Sequence, residues 1–228
     1  MLSTIGLLAT AAAVLGPTLA AMRLVPGLPG FAIFALGGVT ALVVAIISVV
    51  RLVRRRPIGT GGALAIATAL VFVLLATRSA GVPRINDFTT DPSDPPAFGH
   101  AKGLPENASR DMDYPPAFAA EQQACCPDLR PARLPLGKAE ALRRVRDVAE
   151  GMPDWIVVAS DDDAGTVEAV ATTRLFGFHD DIVLRVREQP DGTSRVDMRS
   201  KSRDGKGDMG TNAARIRAFV VAVEEPAR

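Results

Sequence analysis

The sequence predicts three N-terminal transmembrane α-helices followed by a soluble α+β two-layer domain, built as helix, four-stranded antiparallel meander, helix. Three observations predict it. No Asp or Glu occurs before Asp87, although the chain carries 25 acidic residues. Three uncharged, apolar stretches of 20, 20 and 21 residues occupy that acid-free part. Beyond Pro135 the apolar residues recur with a helical period, then with strand alternation, then with a helical period again. The chain therefore divides into a membrane anchor (1–82), a Pro-rich strap expected to pack on the domain (83–135) and the α+β domain itself (136–228).

The apolar stretches are Leu2 to Ala21, Phe31 to Val50 and Pro57 to Thr77, giving spans near 2–21, 31–50 and 60–78. About 20 residues at ~1.5 Å rise cross a hydrocarbon core of ~30 Å. A cleaved signal peptide competes for the first stretch, because Thr18-Leu19-Ala20 resembles a cleavage site. Signal peptides open on a basic segment, and Met1 to Gly6 has no Lys or Arg, so a retained helix is expected. Arg51, Arg54, Arg55 and Arg56 crowd the second connection, whereas Arg23 stands alone in the first. Cytoplasmic loops hold the Lys and Arg excess, which puts the second connection inside and the C-terminal domain outside. Arg78 and Arg84 run against this rule. No ionisable residue lies within the spans to suggest a transport path, and Gly37-Gly38 is expected to mark close helix packing.

The strap holds ten of the 17 prolines. Pro95-Pro96 and Pro115-Pro116 enforce extended or turn geometry. Ile85, Phe88, Phe98, Tyr114 and Phe118 supply apolar anchors, and Ala117 to Ala124 reads as a short helix stopped by Pro127. In Lys138 to Met152, Leu142, Val145, Val148, Ala149 and Met152 share one helical face, and Gly151 and Pro153 close it. Strand-like runs follow at Trp155 to Ser160, Thr166 to Thr173, Asp181 to Arg187 and Ser194 to Ser200. Ile182, Leu184, Val186, Val196 and Met198 take one face, and Arg185, Arg187, Arg195, Asp197 and Arg199 the other. Parity selects a three-residue turn at Pro190-Asp191-Gly192, which pairs Val186 with Val196 and Arg185 with Asp197 and places Gly at the left-handed position. A second amphipathic helix runs Thr211 to Glu225, with Thr211 as its expected N-cap.

Three segments resemble a known family. Pro83-Arg84-Ile85-Asn86-Asp87-Phe88-Thr89-Thr90-Asp91 with Asp94-Pro95-Pro96-Ala97-Phe98 is similar to the opening signature of the domain-of-unknown-function family numbered 1499. Leu175-Phe176-Gly177-Phe178 with Asp180 to Val186 resembles its central motif. Val196 to Ser200, Ser202-Arg203, Asp208-Met209-Gly210 and Asn212 to Arg217 resemble its closing motif. The resemblance implies a bacterial envelope or membrane-attached protein and implies no reaction. Cys125-Cys126 and Leu175 depart from the family's usual residues.

No motif specifies a reaction or a cofactor. Residues 83–228 carry a net charge of −5 against +6 in the anchor, which argues against nucleic acid as a partner. Two histidines, His100 and His179, are too few for a His-based metal site, and Asp161-Asp162-Asp163 lacks the ligand spacing of a calcium loop. The adjacent cysteines are poorly placed to bond each other, which leaves a pair of half-buried thiols or a bridge to another chain. His179, Asp180 and Asp181 form a candidate acid–base group for a hydrolase. The stronger candidate is the stretch Arg199, Ser200, Lys201, Ser202, Arg203 and Lys206 leading to Thr211, whose cations beside a helix start suit an anion. The expectation is a non-enzymatic, multi-pass protein of a bacterial inner membrane. Its domain would lie on the periplasmic or outer side and bind an anionic ligand, a lipid headgroup or an envelope protein.

Overall fold

The computed structural model describes residues 1–78 and 81–226. Contacts divide the chain into two compact units, one of Met1–Ala80 with Thr173–Phe178 and one of Gly81–Thr172 with His179–Arg228. Helices α1 (Leu2–Ala21), α2 (Gly27–Val53) and α3 (Gly59–Arg78) build the first unit. All three are long and apolar enough to cross a membrane. Connections of a few residues make each helix antiparallel to the next. The glycines are where the helices meet. A Cβ on Gly37 would come within 2.4 Å of the Ala13 nitrogen, and one on Gly38 within 2.2 Å of the Phe72 ring. Thr10 and Thr68 hydrogen-bond at 3.0 Å between α1 and α3. Small residues and buried hydroxyls join helices where lipid removes the hydrophobic incentive.

The second unit is a mixed domain on one antiparallel sheet. Helix α4 spans Pro116–Cys125, α5 spans Lys138–Gly151 and α6 spans Thr211–Glu224. Strands β1 (Asp87–Thr89), β2 (Ala132–Leu134), β3 (Trp155–Asp161), β4 (Thr166–Thr172), β5 (His179–Glu188) and β6 (Ser194–Ser202) lie in the order β1-β6-β5-β4-β3, with β2 also on β6. The β5–β6 hairpin pairs Val186 with Val196 and Arg185 with Asp197, with Gly192 at φ +77°. That is the register parity demands.

The expected meander is β3 to β6, and the strap adds two strands to it. β1 and β2 sit end to end along the free edge of β6, at Arg199–Lys201 and Ser194–Val196. The face of the sheet carrying Ile182, Leu184, Val186, Val196 and Met198 packs against Leu142, Val145 and Ala149 of α5 and Ile216, Phe219 and Val223 of α6. Trp155 stacks on Phe219 at 5.8 Å. On the opposite face the strap forms a further, irregular layer. Phe98, Ala101 and Met112 cover Val183, and Glu168 accepts the N–H groups of Gly99, His100 and Ala101 at 2.7–2.8 Å.

Candidate functional site

Adjacent residues of a strand face opposite sides of the sheet, so the predicted basic stretch is split rather than gathered. Arg199, Ser200, Lys201 and Ser202 all belong to β6, which takes in Lys201 and Ser202 beyond the expected strand end at Ser200. Pairing with Asp87 of β1 and Asp180 of β5 draws the strand two residues further than its apolar alternation reaches.

The odd-numbered residues point under the strap. Arg199 Nε and Nη2 donate to the two Asp87 carboxylate oxygens at 2.9 and 2.7 Å, and Lys201 Nζ donates to the same group at 2.8 Å. The Arg199 guanidinium also lies 4.8 Å from the Phe98 ring centre and 5.6 Å from that of Tyr114. All three charged residues are buried. A buried ion group survives only when its polar atoms are satisfied, and Arg199 Nη2 completes its set on the Met112 carbonyl at 2.9 Å. Arg203 donates to Asp181 at 2.7 Å, while Arg110 and Asn107 reach the other Asp181 oxygen at 3.1 and 3.0 Å. Further along, Arg185, Arg187 and Arg195 surround the buried Asp197.

The even-numbered residues face α6. The Ser200 hydroxyl donates to Asn212 Oδ1 at 2.6 Å, and Asn212 Nδ2 donates to the Ser202 hydroxyl at 2.9 Å. Arg215 of α6 pairs with Asp180 at 2.6 Å. The start of α6 also differs from expectation. Gly210, at φ +85°, is the cap residue, and Thr211 is the first helical residue. The Asp208 carboxylate takes the role assigned to Thr211, accepting the N–H groups of Gly210 and Asn212 at 2.9 and 2.6 Å. Burial pushes the Asp208 carboxyl up from its ordinary value, against those two hydrogen bonds, which hold it down.

The acid–base group is not assembled. Asp180 and Asp181 face opposite sides of the sheet, each held by arginine, and His179 Nδ1 lies 3.0 Å from the Thr172 hydroxyl. An open cleft of about 700 Å³ is lined by Lys138, Glu140, Arg143, Arg146, Asp162 and Glu188. Neither this cleft nor two smaller ones, beside Glu168 and beside Arg217, contain His179, Asp180 or Asp181. Among the described residues no group of His, Cys, Asp and Glu is arranged to hold a metal ion.

The exposed cations of this region are elsewhere. Lys206 and Arg84 are both exposed, and the 203–209 loop is folded onto the residues that lead into β1. Asn86 Nδ2 donates to the Gly205 carbonyl at 2.8 Å, the Ser202 N–H donates to the Asn86 carbonyl at 2.8 Å, and a Cβ on Gly207 would lie 3.4 Å from the Arg84 Cα. Arg84 appeared in the sequence only within the opening family signature and in conflict with the loop-charge rule. Its proximity to Lys206 comes from a pairing across more than a hundred residues.

A family model described as "Protein of unknown function (DUF1499)" matches residues 87–223. No curated protein and no solved structure gives a significant match to the chain.

Proposed function

We propose, for a chain that belongs to the DUF1499 family, a membrane-tethered, non-enzymatic domain that binds anionic lipid headgroups on the side of the membrane where it emerges. The arginine cluster at 51–56 supports the periplasmic or outer side of a bacterial inner membrane as that side. The carrying observation is the loop at 203–209 lying on Val82 to Asn86 with Lys206 and Arg84 exposed. Arg84 follows the end of α3 by six residues, so covalent geometry keeps it within roughly 20 Å of that helix end. In a domain of net charge −5, the exposed cations Lys206 and Arg84, this close to the bilayer, are where a headgroup would be attracted. Arg199 and Lys201 hold the loop's base on Asp87, and Arg203 is neutralised by Asp181. Arg203 and Arg215 hold Asp181 and Asp180 on opposite faces of the sheet, so the candidate acid and base share no site, which supports binding over hydrolysis.

Each basic residue near an anionic surface contributes about 1 kcal/mol, so the double variant Arg84→Ala/Lys206→Ala should bind roughly thirty-fold more weakly. Hydrogen exchange of the full chain in nanodiscs tests this. Phosphatidylglycerol should slow exchange at residues 203–210 relative to phosphatidylcholine, added salt should reverse it, and the double variant should not respond. No response to any anionic lipid would shift the reading to a protein partner. One observation favours that second reading: Ile156 is 68% exposed and Val158 37% exposed on β3, an end strand of the sheet, where another chain can add a strand.

A further inference from the structure

The β4–β5 connection, Thr173–Phe178, packs within the unit of three apolar helices although it interrupts the sheet of the other unit. Its two rings join those of the helices. Phe176 lies 5.4 Å from Phe31 and 5.9 Å from Phe34, Phe178 lies 6.4 Å from Phe31, and Phe34 meets Phe72 at 5.6 Å. Two glycines make the approach possible. A Cβ on Gly27, the first residue of α2, would stand 2.5 Å from the Phe176 carbonyl oxygen and 2.9 Å from the Phe178 ring. Gly177 sits at φ +67°, and a Cβ there would collide with the Arg23 guanidinium. Leu175 at the tip is 51% exposed.

We infer that residues 173–178 form a finger seated in the outer part of the bilayer, with Phe176 and Phe178 against α2 and Leu175 among lipid acyl chains. Depth supports it. The 27 residues of α2 extend about 40 Å, longer than a hydrocarbon core of ~30 Å. With Arg51 at one boundary, ~20 residues of core reach back to Phe31, so Phe31 marks the other boundary and Phe34 lies about one turn inside it. Phe176 and Phe178 therefore meet α2 at that boundary and just inside it.

Backbone chemistry supports the same placement. Irregular backbone at lipid depth must satisfy its own polar groups, and the two ends of this loop do so. The Thr173 N–H donates to the Phe178 carbonyl at 2.8 Å, the Gly177 N–H to the Thr173 carbonyl at 2.9 Å, and the Phe178 N–H to the Thr173 hydroxyl at 2.9 Å. The finger is independent of the headgroup reading, because it shares no residue with the basic loop.

The test is Leu175→Trp in a Trp155→Phe background, so that position 175 carries the only indole of the full chain, reconstituted into proteoliposomes with brominated phospholipids. The expected result is blue-shifted emission, quenched more strongly by bromine near the top of the acyl chain than by bromine near its end. Water-like emission without quenching would overturn the proposal. Blue-shifted emission without quenching would also overturn it, because the tip would then be covered by protein, such as a second copy. Gly27→Leu fills the space beneath Phe176 and should abolish the quenching; undiminished quenching in that variant would refute the seating on α2. The Leu175→Trp measurement decides the lipid contact by itself if Gly27→Leu fails to assemble.

Discussion

Asp87 receives hydrogen bonds from two buried cations, Arg199 and Lys201, beneath the strap. Removing one partner of a buried ion group costs about 3–5 kcal/mol, because the remaining charge stays desolvated. Asp87→Asn should therefore lower the urea midpoint severely, and a loss below about 1 kcal/mol would show that water reaches these cations. Arg203→Ala should cost less, since Asp181 keeps Arg110 and Asn107. Asp91 predicts a pH effect. Burial alone would raise its carboxyl, but the Ser93 hydroxyl and N–H and the Arg195 guanidinium outweigh burial and bring it from 3.8 to about 2. A folded-state value below the unfolded one means that the folded chain binds fewer protons. The resulting stabilisation is present above 3.8 and is lost as pH falls through about 2. The stability gap between the wild type and Asp91→Asn should be flat near neutrality and close across that acid window. Cys125 and Cys126 are both free thiols. Burial, then the neighbouring Cys126, pushes the Cys125 thiol up to about 12, so at neutral pH the folded protein should alkylate there far more slowly than the unfolded chain.

At the scale of the elements, deleting the strap is expected to destabilise the domain. Residues 83–135 supply β1 and β2, and the Gln122 side chain brackets Thr89 of β1 by accepting its N–H at 3.0 Å and donating to its carbonyl at 2.7 Å. Residues 136–228 alone should melt well below the 81–228 domain or without a cooperative transition; equal melting temperatures would show that the strap is passive. The meander was legible in the sequence because Ile182, Leu184, Val186, Val196 and Met198 alternate cleanly. β1 and β2 were not legible. Three residues such as Asp87-Phe88-Thr89 are too short for periodicity, and all three are buried, one of them through a charge. The cations at 199–206 read as an anion site for a related reason. Local spacing displays Arg199, Lys201 and Arg203 but not the carboxylates that meet them, which come from positions 87 and 181. The Leu175 to Phe178 run was visible as a motif, yet nothing local said that its rings leave the sheet for the helices.

For the whole molecule, the arginines at 51, 54, 55 and 56 predict that a fluorescent reporter active only in the cytoplasm, fused at the C-terminus, stays dark. A bright fusion would reverse the orientation. The β1–β6 pairing also fixes an order of events during synthesis. Strands β3 to β6 join neighbours through short turns, whereas Asp87 must await Arg199, 112 residues later. Contacts of such separation form slowly, and at ribosomal rates of about 5–20 residues per second the strap waits on the order of ten seconds for its partner strand to be made. Through that interval Ile85 and Phe88 stand uncovered. Proline resists the extended pairing that leads to aggregation, so the ten prolines between 83 and 135 keep the strap unpaired until β6 arrives.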